Sequence, residues 1–276
     1  MEYFSSFKIN NDLILVREPL YRLIPSYLTQ YINIFLLKAG SNSILIDTGT
    51  GVSSLQLFTK NLIGNQKLKI LTTHCDWDHI GGHNEFTSTE CFVHKDEKAL
   101  MYSDEDLTDI KNDIEIRNDT IKLLIPDPFI RKAISPLMPI TTSIKHFTED
   151  LEDLEIINLP GHTIGSVGLF DKDKKFFFPG DAMSTGFIYA IEDPKSFIDS
   201  LEVILDYCPD KSYKIFSAHE NIPLNNSDVS ELIDAMELAL GNIDNTSRIK
   251  NNFVNARLFS AGKFQILLPL AKTDLE

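Results

Sequence analysis

Cysteine and long apolar runs are scarce in this chain, and each scarcity excludes a class of protein. The three cysteines, Cys75, Cys91 and Cys208, are too few and too scattered along 276 residues for a disulfide framework. No stretch approaches the uninterrupted apolar length that crosses a bilayer. The amino-terminal residues lack a basic segment followed by an apolar one, so no secretory signal is expected. These features predict a cytoplasmic protein without a membrane span.

Basic residues are also under-represented. The chain carries 26 Lys and Arg against 40 Asp and Glu, which gives a formal net charge of −14. Phosphate backbones are bound by surfaces rich in Lys and Arg, so no nucleic-acid partner is expected. The hydrophobic fraction of 43% is enough for a substantial core. The length suits one large domain or two small ones.

A dense group of metal-binding side chains stands out against this background. His74, Asp76, Asp78 and His79 lie within six residues, directly after the apolar, strand-like residues 68–72. Imidazole and carboxylate together suit zinc and similar divalent ions, and iron as well. Unpaired charges at the end of a buried strand would be costly to desolvate. A bound metal would supply the compensating charge.

The spacing within this group carries further information. In an extended segment His74, Asp76 and Asp78 would point to one face, and His79 would then require a turn. The glycines at 81 and 82 are consistent with a tight turn or a close backbone approach. Cys75 would point away from its neighbours. We therefore interpret it as a small buried residue rather than a ligand.

The pattern His74-x-Asp76-x-Asp78-His79-x-Gly-Gly resembles the His-x-His-x-Asp-His-x-Gly-Gly signature of the metallo-β-lactamase superfamily. Four further segments resemble the other motifs of that family in the expected order: residues 43–49, 159–166, 178–181 and 216–219. Five motifs in order are far more specific than any one of them. The resemblance implies an α/β fold, a four-layer αββα sandwich, and a single domain over residues 1–276.

The resemblance also implies seven metal ligands at two sites. The first metal would be held by His74, Asp76 and His162, the second by Asp78, His79 and His219, with Asp181 bridging the two. Asp47 would lie behind the ligands and orient their imidazoles, as carboxylates commonly do. The alternative for Asp47 is a plain Asp-Thr-Gly turn.

Asp76 departs from the family signature, which has His at this position. An acidic residue here resembles the flavodiiron branch, which has Glu and holds iron. The resemblance implies two divalent metal ions, with zinc favoured and iron or manganese as alternatives, because carboxylate suits those harder ions. The other interpretation is that Asp76 weakens the first site and leaves a single metal.

The implied activity is that of a hydrolase in which a metal-bound hydroxide attacks an acyl carbonyl of a small-molecule substrate. Thioesters, lactones and carboxylic esters are favoured over β-lactams. Asp78 would hydrogen-bond the nucleophile, and Tyr189 would donate to the oxyanion. The alternative is a diiron oxidoreductase of flavodiiron type without a flavin domain. A nuclease or phosphodiesterase, and a non-catalytic binding module, are less favoured.

Three segments outside the motifs have patterns of their own. Residues 101–150 are rich in Asp, Lys and Pro with weak periodicity, which predicts an insert that is either a lid over the active site or a plain surface excursion. Residues 194–207 have the pattern of an amphipathic helix with Pro near its start. Residues 227–276 predict a helix followed by a hairpin, as a carboxy-terminal extension.

Overall fold

The structure is a computed structural model that describes residues 3–23, 28–39, 42–97, 144–146, 154–251 and 254–270. The chain divides into two compact units, Met1–Thr148 and Glu149–Glu276, and each is described by itself. Among the described residues, no helix combines the length and the apolar character that crossing a membrane requires.

The first unit is built on one mixed sheet, which has seven strands within its described residues. The strands are β1 (Ser5–Lys8), β2 (Leu13–Glu18), β3 (Ile32–Ala39), β4 (Asn42–Ile46), β5 (Lys67–Leu71), β6 (Glu90–Val93) and β7 (Ile144–His146). They lie side by side in chain order, antiparallel from β1 to β4 and parallel from β4 to β7. Strand β3 is buried along nearly its whole length, as its apolar run predicts.

Within its described residues this unit has three α-helices: α1 (Leu20–Leu23), α2 (Leu55–Ile63) and α3 (Trp77–Ile80). Helix α2 connects the parallel strands β4 and β5. It begins where the Ser54 side chain accepts a hydrogen bond from the Leu57 amide and ends at Gly64, whose φ is 65°. Helix α3 follows β5 after a short connection, and a 3₁₀ turn at His83–Glu85 comes next. The unit therefore places the metal-binding run at the carboxyl end of a central parallel strand.

The second unit contains two sheets, each with four strands within the described residues. One has the order β12 (Lys214–Ile215), β10 (Phe176–Phe178), β9 (Val167–Asp171) and β8 (Leu154–Asn158). The other has the order β11 (Gly186–Tyr189), β15 (Phe264–Leu268), β14 (Asn255–Ala261) and β13 (Ser247–Lys250). Strand β11 runs parallel to β15, so the carboxy-terminal hairpin β14–β15 is joined to an earlier part of the chain.

The part of the second unit that the structure describes also has two α-helices. Helix α4 (Pro194–Tyr207) has the predicted bounds and begins after Asp193, whose carboxylate accepts hydrogen bonds from two amides of the first turn. Helix α5 (Asn226–Gly241) begins with a capping box between Asn225 and Asp228. The two helices pack on each other, and their buried faces share a hydrophobic core with strands from both sheets.

The predicted helix and hairpin of the carboxy-terminal region are thus present as α5 and β14–β15. Three short strands, β1, β11 and β13, were not predicted from the sequence, because none of them shows a clear alternation of apolar and polar residues. The predicted insert at 101–150 lies outside the described residues except for the three residues of β7. The single domain over 1–276, the insert and the carboxy-terminal extension stay predictions.

Candidate metal centre

The metal-binding run of the first unit begins extended and becomes helical. His74 follows β5 and is fully buried, while the Asp76 side chain is 33% exposed and occupies the position just before α3. Asp78 and His79 lie inside α3, where both are buried. The expectation that Asp78 continues an extended alternation is therefore wrong, because the chain turns helical at Trp77. The four side chains still gather: the His74 and His79 ring centroids lie 4.0 Å apart.

Asp47 is the centre of the hydrogen-bond network behind these side chains. It follows β4 with a φ of 63°, a conformation that Asp tolerates better than most residues, and it is 1% exposed. Its Oδ1 accepts from the Thr73 amide at 2.8 Å, and its Oδ2 accepts from the Thr73 hydroxyl at 2.8 Å. Oδ2 also lies 2.8 Å from Nδ1 of His79. Asp47 therefore does more than close an Asp-Thr-Gly turn.

This network assigns the tautomers of both histidines. The carboxylate of Asp47 can only accept, so Nδ1 of His79 is the donor. The hydroxyl proton of Thr73 goes to Asp47, so the same oxygen accepts from Nδ1 of His74 at 3.0 Å. Each ring thus carries its proton on Nδ1 and its lone pair on Nε2. That is the arrangement of a metal-binding imidazole.

The two glycines after α3 allow a close backbone approach. A Cβ at Gly81 would lie 2.1 Å from the carbonyl oxygen of Thr50, and one at Gly82 would lie 2.5 Å from that of Thr48. The φ of Gly81 is −57° and that of Gly82 is −84°, so neither needs the left-handed region. Of the two interpretations of this glycine pair, the close approach is the one that the structure supports.

The predicted ligands of the second unit form a second cluster. His162 follows β8, Asp181 follows β10 and His219 follows β12. Oδ2 of Asp181 lies 3.1 Å from Nε2 of His219 and 3.7 Å from Nε2 of His162. Nδ1 of His162 donates to the backbone carbonyl of Tyr189 at 2.9 Å, which leaves the lone pair on Nε2 of His162, the nitrogen that could bind a metal. Residues from three strand ends are therefore brought together here.

Cys75 does not behave as a ligand. Its side chain is 2% exposed and packs with Ile80 and Val93. Burial, together with the nearby Glu97, Asp76 and Asp47 carboxylates, raises the pKa of its thiol far above the usual range, so the thiolate that metals bind is disfavoured. The interpretation as a small buried residue is confirmed.

His83 likewise fits a structural role. Burial lowers its pKa to about 4, so the ring is neutral near pH 7, and its Nε2 lies 3.0 Å from the Thr72 hydroxyl. Glu97 and Glu18 are among the buried acids that sequence analysis did not single out. Glu97 accepts from the Cys75 amide at 2.7 Å, and Glu18 binds Thr50. Glu97 lies in a Lys-Asp-Glu-Lys run that resembles a solvated surface. For Glu18, the one signal was a charge at the end of an apolar strand.

Each unit thus supplies imidazole nitrogens with a fixed tautomer beside carboxylate oxygens. This donor set suits zinc, iron or manganese and lacks the thiolates that would select for softer ions. The residues fit a divalent metal.

Comparison with known proteins identifies the family that the sequence motifs indicated. Residues 29–237 match the family model of the metallo-β-lactamase superfamily. The chain is 28% identical over 171 residues to human acyl-coenzyme A thioesterase MBLAC2, across 56% of this chain and 59% of that protein. It is 30% identical over 203 residues to the Drosophila melanogaster beta-lactamase-like protein 2 homolog, across 72% of this chain and 62% of that protein. The matches therefore span about three fifths of these relatives.

Solved structures share the fold. The DIM-1 metallo-β-lactamase exposed to ceftazidime superimposes with a TM-score of 0.60 at 14% identity, over 87% of this chain and 98% of the other. The metallo-β-lactamase family protein TTHA1429 of Thermus thermophilus gives 0.56 at 20% identity, over 87% and 85%. TTHA1623, solved in a di-iron-bound form, gives 0.50 at 21% identity, over 73% and 93%.

At these identities the structural likeness establishes the fold. The predicted α/β metallo-β-lactamase fold is confirmed, and this fold implies divalent metal binding. Together with the family-model match over most of its length, these findings establish that the chain belongs to the metallo-β-lactamase superfamily, a superfamily of metal-dependent hydrolases.

Proposed function

We propose that this protein is a metal-dependent hydrolase that cleaves a small acyl substrate, with a thioester as the preferred class. The observation that carries the proposal is the orientation of His79 by Asp47, at 2.8 Å between Nδ1 and Oδ2. A buried carboxylate that fixes an imidazole with its lone pair on Nε2 is the usual support of a metal ligand. Family membership supplies the expectation of hydrolysis.

The ligand set proposed is that of the family motifs. It comprises His74, Asp76, Asp78, His79, His162, Asp181 and His219, with Asp181 as the bridge in a two-metal centre. The hydrogen bonds to Nδ1 of His74, His79 and His162 support this assignment, because all three leave Nε2 as the metal-binding nitrogen. Asp47 orients two of these rings without binding the metal itself.

When bound, the metal supplies Lewis acidity and lowers the pKa of a water molecule. The chain's own residues then orient and move protons. The Asp78 carboxylate accepts a hydrogen bond from the attacking water and thereby directs it at the acyl carbon. The hydroxyl of Tyr189 donates to the oxyanion that develops on the carbonyl oxygen. The acyl carbon–sulfur bond breaks, and the water provides the hydroxyl of the acid and the proton of the thiol.

The preference for a thioester is supported by the curated relatives. The human and bovine proteins, each 28% identical to this chain, are named acyl-coenzyme A thioesterases. Lactones and carboxylic esters present a similar acyl carbonyl and are the natural comparison substrates. A β-lactam ranks below them.

A second candidate is a diiron oxidoreductase, and Asp76 is the residue that favours it. Carboxylate in place of imidazole shifts preference from zinc towards iron or manganese. TTHA1623, which shares the fold, was solved with two irons. Reductant-driven oxygen uptake by iron-loaded protein, without acyl hydrolysis, would support this candidate over the hydrolase.

Elemental analysis of protein purified without added metal, combined with turnover assays on the same sample, tests the proposal. The substrates are an acyl-coenzyme A, a lactone, an aryl ester and a β-lactam. We expect about two equivalents of metal and thioester hydrolysis that a chelator abolishes. His219→Gln should lose metal and activity. His94→Gln, which alters a histidine outside both clusters, should retain them. Metal-loaded protein without hydrolysis of any acyl substrate would refute the hydrolase.

The same preparation can test whether Asp76 determines which metal the protein prefers. Replacement of Asp76 by His restores the family signature, and we expect it to raise the ratio of zinc to iron and manganese bound from an equimolar mixture. Asp76→Glu keeps a carboxylate and should leave this ratio near that of the wild type. An unchanged ratio in Asp76→His would mean that this residue does not determine metal preference.

A further inference from the structure

Glu18 is a buried carboxyl group with no place among the proposed ligands. It ends strand β2 and has no solvent exposure. Its Oε2 accepts from the Thr50 amide at 3.0 Å. Its Oε1 accepts from the Thr50 hydroxyl, and from the Tyr3 hydroxyl at 3.0 Å. Two of the three donor groups belong to Thr50, so Glu18 holds both the backbone and the side chain of that residue in place.

The charged and titratable groups around Glu18 do not neutralise it. The Tyr3 hydroxyl faces it from the amino-terminal segment, and the Asp78 carboxylate of α3 acts on it through space. Burial, followed by the repulsion from Asp78, raises the pKa of Glu18 to about 7, although its hydrogen bonds act in the opposite direction. Among the described residues, the groups that shift the pKa of Glu18 include no cation. A buried acid without one is costly, which indicates a role beyond packing.

Thr50 connects Glu18 with the metal-binding helix. Residues 48–51 form a loop, called here the 48–51 loop, that interlocks with the end of α3. A Cβ at Gly81 would lie 2.1 Å from the Thr50 oxygen, and a Cβ at Gly51 would lie 2.2 Å from the Gly81 oxygen. The Thr48 amide donates to the His79 carbonyl at 2.8 Å. A displacement of this loop therefore moves the backbone of α3.

We propose that Glu18 is a positioning residue of the metal centre, which holds the 48–51 loop against α3 and so fixes where Asp78 and His79 present their ligand atoms. The inference rests on the proposed metal site, but it concerns metal affinity and not the reaction. It makes Glu18 a support of the ligands that acts through the backbone, in addition to the direct support that Asp47 gives.

Two variants test this inference. Glu18→Gln keeps the volume but removes the charge and one of the two acceptor oxygens, whereas Thr50→Val keeps the Glu18 charge and removes one hydrogen bond of the loop. Dissociation constants for Zn²⁺ and Mn²⁺ are measured by competition with a chromophoric chelator, alongside thermal unfolding of the metal-free forms. We expect the dissociation constant for the metal to rise about tenfold in Glu18→Gln and about threefold in Thr50→Val. The control Thr59→Val removes a buried threonine hydroxyl in α2 and should bind metal as the wild type does.

The outcomes separate the possibilities. Weaker metal binding in both variants, without matching loss in Thr59→Val, supports positioning through the loop. Wild-type affinity in both overturns it, and so does an effect confined to Glu18→Gln, because the Thr50 hydroxyl would then have no part in holding the loop. If Glu18→Gln does not fold, Thr50→Val decides. A wild type that binds metal but hydrolyses no acyl substrate would refute the proposed function and leave this inference standing. A wild type that binds no metal would refute both.

Discussion

Oδ2 of Asp47 lies 2.8 Å from Nδ1 of His79, although the two residues are 32 positions apart in the chain. The carboxylate is buried, and its left-handed backbone conformation turns it towards the metal-binding run. The same carboxylate holds the amide and hydroxyl of Thr73, the residue before His74. One side chain thus orients histidines from two proposed metal sites.

Replacement of Asp47 by Asn should weaken metal binding by about 10- to 100-fold, the range found for groups that support metal ligands. The amide has one acceptor oxygen where the carboxylate has two, so the three donors around it cannot all be satisfied. Chelator competition measures the affinity. Asp171→Asn removes another buried carboxylate, one that binds Lys174 in the second unit, and should leave metal affinity unchanged. Equal affinities for Asp47→Asn and wild type would contradict the role of Asp47.

Replacement of Gly81 by Ala should destabilise the protein by about 3 kcal/mol or more, because the new methyl group meets the backbone oxygen of Thr50 at 2.1 Å. Backbone cannot rotate away as a flexible side chain can, so α3 or the 48–51 loop must shift. Gly241→Ala is the matched control: it lies at the end of α5, where an added Cβ would meet no atom within 4 Å apart from its chain neighbours and its own helix backbone, and should be neutral or slightly stabilising. Urea unfolding compares the two. Similar stabilities would show that the contact relaxes freely.

Replacement of Tyr189 by Phe should lower kcat by about 100-fold if its hydroxyl donates to the oxyanion. The change leaves the backbone carbonyl that holds His162 in place, so metal content should stay that of the wild type. Steady-state kinetics on an acyl-coenzyme A substrate measure the effect. Tyr213→Phe removes a tyrosine hydroxyl from a ring stacked on Phe170, away from the ligand cluster of its unit, and should leave kcat unchanged. Unchanged turnover in Tyr189→Phe would exclude the catalytic role.

The metal-free protein should lose stability as the pH rises from about 4.5 to about 7, in part because of Glu18. The carboxyl pKa is 4.5 in the unfolded chain and about 7 in the folded one. Between these values the folded state keeps a proton that the unfolded state has released, so raising the pH favours unfolding. The contribution is on the order of 3 kcal/mol across this window.

Urea unfolding of chelator-treated wild type and Glu18→Gln at pH 4.5 and pH 7.5 measures this contribution. Gln cannot ionise, so the variant should lose less stability between the two pH values than the wild type does. Other titrating groups are common to both proteins and cancel in the comparison. Parallel pH dependences would mean that Glu18 titrates in the folded state as it does in the unfolded chain.

Much of the site could be predicted because its residues fall in short patterns. The run from His74 to His79 follows a buried strand, and the motifs around His162, Asp181 and His219 follow others, so candidate ligands could be named before any geometry was known. The prediction that failed concerns the backbone conformation of a few consecutive residues. Trp77 starts a helix that an alternating pattern through Asp78 did not anticipate, because packing around the 48–51 loop outweighs the pattern of six residues.

The sequence by itself determined the family, the α/β fold and the chemical nature of the proposed ligands, because these depend on residue type, order and spacing along one stretch of chain. Tertiary structure decided which nitrogen of each proposed histidine ligand carries the lone pair that could bind a metal. The tautomers of His74 and His79 depend on Asp47, that of His162 on the backbone of Tyr189, and the anchoring of the 48–51 loop on Glu18. Almost all of these contacts join residues far apart in the chain. Loops that are distant in the chain come into contact only when their strands assemble into a sheet. A local sequence pattern therefore does not predict these contacts.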